Sequence, residues 1–213
     1  MLFPKYKLIR SNKKNLSLQV KQGELIVKAP NLMPQNEIEN FIIIKQKWIN
    51  KHINKKIIPQ NTYKNNDKFL YLGIEYSLIL KDCDLYFDGT NFIGRGCKAN
   101  FLNLYKQHFA KIIQTKLPQI ASEYNFKFNQ VRLKSQKTLW GSCSGKNNLN
   151  FNYLLMMAPL EVIESVIIHE LCHTIHKNHS KKFWDLVYKI MPDYKINHKY
   201  LKDYGNQIVQ ILY

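Results

Sequence analysis

His169 and His173 stand four positions apart in the sequence, and Glu170 directly follows the first of them. Residues four apart lie on one face of an α-helix, so both imidazoles can reach a single metal ion. A carboxylate beside the first ligand can accept a proton from water at the open position of the ion. Imidazole suits zinc best, and nickel, cobalt and iron also accept three such ligands. The motif therefore predicts a hydrolytic site with a divalent transition metal and Glu170 as its general base.

The third ligand must come from a segment that turns back, because a continuing helix carries later histidines away from the ion. A straight helix would place His176 about 10 Å along the axis from His169. Residues 177–178 can form the required turn, since asparagine tolerates the left-handed conformation. His179 then approaches from the far side, and we prefer it as the third ligand. His176 is left beside the site or in solvent, and His198 is a distant alternative.

The sequence around the motif predicts the elements that position these ligands. The apolar residues before it predict a buried helix that begins after Pro159. Residues 182–190 predict an amphipathic helix that packs behind the first one. A longer helix is predicted over residues 100–124, and strands are predicted over residues 131–133 and 149–153.

The N-terminal part of the chain predicts mainly strands. Residues 5–29 alternate apolar and polar side chains in places, and a turn that contains Gly23 separates the two runs, as in a β-hairpin. Residues 69–93 predict further strands, and residues 36–53 predict a helix. Together these elements predict a small antiparallel sheet wrapped by one helix. The predicted fold class is α+β, with a β-rich N-terminal subdomain over residues 1–98 and a metal-binding catalytic domain over residues 99–213.

Several segments around the motif resemble the YgjP-like metallopeptidase family, which is related to the SprT-like and WLM zinc proteases. The resemblance is close in the C-terminal half and also extends to residues 10–11, 29–30 and 45–52. The segments that carry it, besides the histidine motif itself, are Trp140-Gly141-Ser142-Cys143-Ser144, Leu149-Asn150-Phe151-Asn152, Ala158-Pro159, His179-Ser180, Phe183-Trp184 and Met191-Pro192-Asp193-Tyr194.

This resemblance implies a zincin-like catalytic core of the minigluzincin type. It implies a metal on His169, His173 and His179, with Glu170 as the general base. The family's substrate is not well defined: some members are described as peptidase-like, and a bacterial member is assigned as a UTP pyrophosphatase. A metal-dependent hydrolase is therefore implied, with a peptide or protein as the first expected substrate.

The resemblance also suggests where a substrate would lie. In zincins a strand borders the cleft, and its free edge pairs with an extended substrate. We expect residues 150–155 to form this cleft strand, with Gly141 and Ser142 in the adjoining turn. Tyr194 or Tyr188 is a candidate to stabilise an oxyanion. The candidate substrate-binding residues are Gly141, Ser142, Asn150, Asn152, His176 and Tyr194.

The formal net charge of +17 raises the question of a polyanionic partner. Only three of the cationic residues are arginine, the better phosphate ligand, and lysines are spread along the whole chain. A solvated lysine surface explains this pattern without a nucleic-acid function. Two alternatives to a peptidase remain: a nucleoside triphosphate pyrophosphatase, or a nucleic-acid-associated binding protein in which the metal only stabilises the fold.

Composition indicates the cellular setting. No apolar run approaches the roughly 18 residues that a membrane span requires. The first ten residues lack the apolar core of a signal peptide. The four cysteines have no disulfide-framework spacing, which favours a reduced, cytoplasmic protein. No pattern in the sequence defines an oligomeric state.

Overall fold

A computed structural model describes residues 4–21, 24–53, 62–136 and 138–212 of the chain. The chain divides into two compact units, Met1–Pro59 and Gln60–Tyr213. Within the described residues, no helix is both long and apolar enough to cross a membrane. The architecture is mixed α+β with small sheets, which confirms the predicted class at this level.

The described residues of the first unit form three strands and two helices. Strand β3 carries the buried residues Leu25, Val27 and Ala29 on one face, and helix residues including Ile38 and Ile42 pack on them. The strands are paired in the order β1-β3-β2. The elements are β1 (Tyr6–Ser11), β2 (Ser17–Lys21), β3 (Glu24–Pro30), α1 (Gln35–Ile44) and α2 (Gln46–Ile53).

The predicted hairpin is confirmed, since β2 and β3 pair in antiparallel register from Ser17 opposite Lys28 to Lys21 opposite Glu24. Its turn at residues 22–23 lies outside the described part of the chain. The prediction of an antiparallel sheet is wrong, because β1 runs parallel to β3. Strand β3, the most buried of the three, is central. It pairs with β2 along one edge and with β1 along the other, so β1 and β2 are not neighbours. Two short helices that meet at Lys45 replace the single predicted one.

The second unit opens with another mixed sheet, in the order β4-β5-β7-β6, in which β5 and β7 are parallel. Its inner face packs on α3 through aromatic rings: Phe69 stacks on Phe101 with ring centroids 3.8 Å apart, and Phe92 meets Phe101 edge-on at 5.1 Å. Tyr105 donates a hydrogen bond of 2.7 Å to the carbonyl oxygen of Leu70. The elements are β4 (Lys68–Tyr71), β5 (Ile74–Leu80), β6 (Tyr86–Phe87), β7 (Asn91–Gly94) and α3 (Lys98–Glu123).

The rest of the unit contains a third small sheet and the helices that surround it. The strand order is β8-β10-β9, with β10 parallel to β8 and antiparallel to β9. A short 3-10 helix then leads into the helix that carries the histidine motif. The elements are β8 (Val131–Lys134), β9 (Gly141–Cys143), β10 (Leu149–Asn152), the 3-10 helix Tyr153–Met157, α4 (Leu160–Ile175), α5 (Lys181–Ile190) and α6 (Tyr194–Leu212).

The expectation that residues 150–155 offer a free strand edge is wrong. Strand β10 is central and paired on both sides, and the strand ends where the Asn152 side chain accepts a hydrogen bond from the backbone N–H of Leu154. This cap starts the 3-10 helix. The edge strand next to α4 is β9, which contains Gly141 and Ser142.

The turn between β4 and β5 connects the four-stranded sheet to the start of α4. Leu72 and Gly73 both have positive φ, 49° and 82°, as a two-residue type I′ turn requires. Their backbone N–H groups donate to the carbonyl oxygens of Met156 and Met157 at 2.9 and 3.2 Å. The predicted domain boundary between residues 98 and 99 lies inside the second unit, at the start of α3.

Gly73 is also the place where this turn touches Pro159, because a Cβ atom there would lie 2.7 Å from Pro159 Cγ. Gly89 is a matched control: its φ of +100° is also positive, and nothing lies within 4 Å of its Cβ position. We expect Gly89→Ala to lower the free energy of unfolding by about 1–2 kcal/mol through backbone strain. Gly73→Ala should cost a further ~1–3 kcal/mol through overpacking. Urea unfolding measures both, and equal losses would contradict the docking of the turn on Pro159.

Candidate metal centre

Helix α4, which carries the histidine motif, is surrounded by apolar residues on nearly every side. Val162, Ile163, Ile167 and Leu171 are buried, so the helix is fixed within the unit. It ends at Ile175, and the next residues leave the helical path before α5 begins at Lys181. The chain therefore makes the reversal that a third ligand requires.

The three predicted ligands lie together. His169 Nε2 is 3.2 Å from His173 Nε2 and 3.1 Å from His179 Nε2, and the possible ligand atoms of all three lie within 4.8 Å of one another. Zinc at about 2.0–2.1 Å from tetrahedrally arranged nitrogens would separate those nitrogens by about 3.3–3.4 Å. The spacing of the imidazoles thus fits one transition-metal ion.

The Nδ1 atoms of His169 and His173 are held by hydrogen bonds. His169 Nδ1 lies 2.8 Å from the Tyr194 hydroxyl, and His173 Nδ1 lies 3.0 Å from the carbonyl oxygen of His176. When Nε2 faces a metal, Nδ1 carries the proton and donates it, which fixes the ring orientation and makes the ligand more basic. His176 therefore contributes its backbone carbonyl here, and Tyr194 contacts His169.

Aromatic rings of α5 pack directly on the imidazoles. Phe183, fully buried, stacks on His173 with ring centroids 4.4 Å apart, and Trp184 stacks on His179 at 5.5 Å. Burial, with a smaller contribution from the neighbouring histidines, lowers the pKa of His169 to about 3. The imidazole is consequently neutral near pH 7, as a metal ligand must be.

Glu170 is 5% exposed, and its Oε2 atom has no hydrogen-bond partner among the described residues. Burial raises the pKa of its carboxyl group to about 8. A buried oxygen without a partner costs free energy unless a ligand or water satisfies it. Its position one residue after His169 fits a role beside a metal centre.

Gly141 allows the carboxyl group of Glu170 to lie against β9. A Cβ atom at position 141 would stand 2.6 Å from Glu170 Oε1 and 2.7 Å from its Cγ. These distances are shorter than any ordinary contact, so only glycine leaves room for the side chain in this position. Gly141 thus lies against Glu170 because it has no side chain.

The free edge of β9 lies beside this carboxyl group. Asn152 donates its backbone N–H to the Trp140 carbonyl at 2.8 Å, so these two residues form a hydrogen-bonded pair. Such pairs alternate along an antiparallel ladder, which makes Ser142 the next bonded residue of β9. Gly141 and Cys143 therefore direct their backbone N–H and C=O groups away from β10, where an extended chain could pair with them.

The other predicted substrate-binding residues bond within the protein. Asn150 donates to the Ser142 hydroxyl at 3.0 Å. Asn152, which is 2% exposed, donates to the carbonyl oxygens of Gln136 and Leu139 at 2.7 and 3.0 Å. Both amide hydrogens of Asn152 are used in this way, so its side chain holds the segment before β9 in place.

Sequence reasoning missed the role of Lys177, which it considered only as part of a turn. The Lys177 ammonium group donates to the Ser144 carbonyl at 3.1 Å and to Asn147 Oδ1, and it lies 3.7 Å from Cys143 Sγ. These bonds tie the segment that delivers His179 to the turn after β9. One lysine among so many gives no sequence signal for such a contact.

Three converging imidazoles with a buried carboxyl group beside them form the donor set of a metal-dependent hydrolase. The sequence model of the family described as "YgjP-like, metallopeptidase domain" matches residues 14–204 of the 213-residue chain. The chain therefore belongs to this family. The resemblance in the sequence is thereby confirmed. A search of the curated proteins gave no match.

The contact between Gly141 and Glu170 gives a direct test of the site. We expect Gly141→Ala to displace the carboxyl group and lower hydrolysis of a protein substrate about 10²-fold, as a misplacement near 1 Å can do. Metal content should stay unchanged, since no imidazole is touched. Gly145→Ala is the control, because nothing lies within 4 Å of its Cβ position. Equal activity of the two variants, in assays that also measure bound metal, would contradict this role of Gly141.

Proposed function

We propose that the protein is a zinc-dependent metallopeptidase in which His169, His173 and His179 hold the metal and Glu170 acts as general base. The observation that carries the proposal is the position of Glu170. Its Oε2 is buried without a partner among the described residues, it directly follows His169 on the helix that carries two of the three imidazoles, and its carboxyl group lies against Gly141 of β9. A metal that only stabilised the fold would need no such group.

Bound zinc would supply a Lewis acid and would lower the pKa of water toward neutrality. Glu170 accepts the proton of the attacking water and passes it to the nitrogen of the leaving amine. Burial alone raises the pKa of Glu170 to about 8, and the positive charge of a bound metal would favour the carboxylate form that accepts the proton. Tyr194 and the His176 carbonyl keep two of the imidazoles oriented throughout.

A peptide is the preferred substrate because of β9. The backbone groups of Gly141 and Cys143 can pair with an extended chain next to Glu170, and main-chain pairing of this kind gives affinity for peptides of varied sequence. Hydrolysis of a nucleoside triphosphate would not use this edge. A transition metal other than zinc would fit the same three nitrogens.

Glu170→Gln tests the proposal most simply. We expect bound metal to remain at the wild-type level and peptide hydrolysis to fall by about 10²–10⁴-fold, the usual contribution of a general base. Glu164→Gln serves as the control: it changes the same residue type on the same helix, where Glu164 forms an ion pair of 2.8 Å with Lys116.

The assay should include a peptide library, a nucleoside triphosphate and a metal determination for each variant. Peptide cleavage lost only in Glu170→Gln supports the proposal. If Glu170→Gln loses only triphosphate hydrolysis, the protein is a pyrophosphatase and not a peptidase. If the wild-type protein binds metal and hydrolyses neither substrate, the metal only stabilises the fold and the proposal is wrong.

A further inference from the structure

The two residues of β9 that offer their backbone groups to an extended chain, Gly141 and Cys143, also share one face of the strand. Successive side chains of a strand point to opposite faces, so residues two apart point the same way. A Cβ atom at Gly141 would point at the carboxyl group of Glu170, 2.6 Å from its Oε1. The Cys143 thiol therefore points to the same side as Glu170, about 7 Å further along the strand.

The ammonium group of Lys177 lies at the Cys143 end of this face. Its Nζ atom is 3.7 Å from Cys143 Sγ, and it donates to the Ser144 carbonyl at 3.1 Å and to Asn147 Oδ1. Both charged groups act on the thiol: burial raises the pKa of Cys143, Lys177 lowers it and Glu170 raises it. A carboxyl group and a cation thus lie along one face of the edge strand.

No carboxylate of the described residues pairs with Lys177. The ammonium group contacts a carbonyl oxygen, an amide oxygen and a thiol sulfur, so its partners carry no compensating charge. A thiol is a weak hydrogen-bond acceptor. The donor that faces Cys143 is therefore the one that a carboxylate from outside the chain could take over.

A substrate paired with β9 would place one side chain beside this cation. Antiparallel pairing is the more stable mode, and residues directly opposite each other have their side chains on the same face. The substrate residue opposite Cys143 then comes two positions before the residue opposite Gly141. Because Gly141 lies against the carboxyl group of Glu170, the residue opposite Cys143 is on the N-terminal side of the scissile bond. Opposite Cβ atoms are about 5 Å apart, so a glutamate side chain at this position can reach the Lys177 ammonium group.

We propose that Lys177 is a specificity-determining residue that favours an acidic side chain, glutamate above all, on the N-terminal side of the scissile bond. The inference rests on the proposed peptidase function and adds the substrate class, which is peptides with an acidic residue shortly before the cut. The formal net charge of +17 acts in the same direction, because it attracts acidic substrates. Lys177 is exposed, so the preference is modest and decreases as salt screens the pair.

Cleavage of a random peptide library, read by mass spectrometry, measures the ratio of glutamate to glutamine at each position before the cut. We expect the wild type to favour glutamate about three- to fivefold at one of these positions in low salt, and to lose the preference in high salt. Lys177→Met should abolish the preference, and Lys177→Arg should keep it. A merely structural role of Lys177 would change the cleavage rate of all peptides and leave the ratio unchanged.

Cys143→Asp tests the same contact while Lys177 stays in place. An aspartate at this position would pair with the ammonium group and repel a substrate carboxylate, so the preference for glutamate should vanish. Cys143→Ser adds no charge and should keep it. Lys146→Met is the control for net charge, since it removes an exposed lysine from the same turn, and it should also keep the preference.

Two results would overturn the role of Lys177 and leave the peptidase intact. One is peptide cleavage by the wild type without a glutamate preference before the cut. The other is a preference that persists in both Lys177→Met and Cys143→Asp. A metal-loaded wild type that cleaves no peptide would overturn the peptidase and the role of Lys177 together.

Discussion

The convergence of three imidazoles is the constraint on which the rest of the site depends. His169 Nε2 can lie 3.1–3.2 Å from the Nε2 atoms of His173 and His179 only because α4 ends at Ile175 and the chain reverses before α5. Two hydrogen bonds hold this reversal in place. The His176 carbonyl accepts a hydrogen bond from His173 Nδ1, and the Lys177 ammonium group donates to the Ser144 carbonyl in the turn after β9. Phe183 and Trp184 then pack on the rings from α5. Ring orientation is thus set by protein contacts around the whole cluster.

The second requirement is that a carboxyl group and a strand edge meet next to this cluster. Gly141 satisfies it by having no side chain, which lets Glu170 lie directly against β9. The buried hydrogen bonds of Asn152 hold the segment before β9, and the four-stranded sheet reaches the start of α4 through the turn at Gly73. Residues far from the histidines therefore determine the position of β9 relative to the carboxyl group of Glu170.

The convergence of the three histidines is the part of this site that sequence predicts best, because the spacing of His169 and His173 is dictated by local helix geometry. Two histidines one helical turn apart share a face wherever the helix lies, and an apolar lead-in shows that the helix is buried. The strand edge was placed wrongly because pairing order depends on which strand is most buried, and not on adjacency in sequence. The same cause made the N-terminal sheet mixed instead of antiparallel. The contacts of Asn152, Tyr194 and Lys177 depend on residues distant in sequence, and no local pattern encodes them.

X-ray absorption at the zinc edge, on protein loaded with one equivalent of zinc, measures directly whether the three imidazoles bind one ion. We expect three imidazole nitrogens at about 2.0–2.1 Å and no sulfur ligand. Substitution of His179 by alanine should remove one of the three. A sulfur shell near 2.3 Å, or an imidazole count that does not change in His179→Ala, would contradict the assignment of His169, His173 and His179 as the metal ligands.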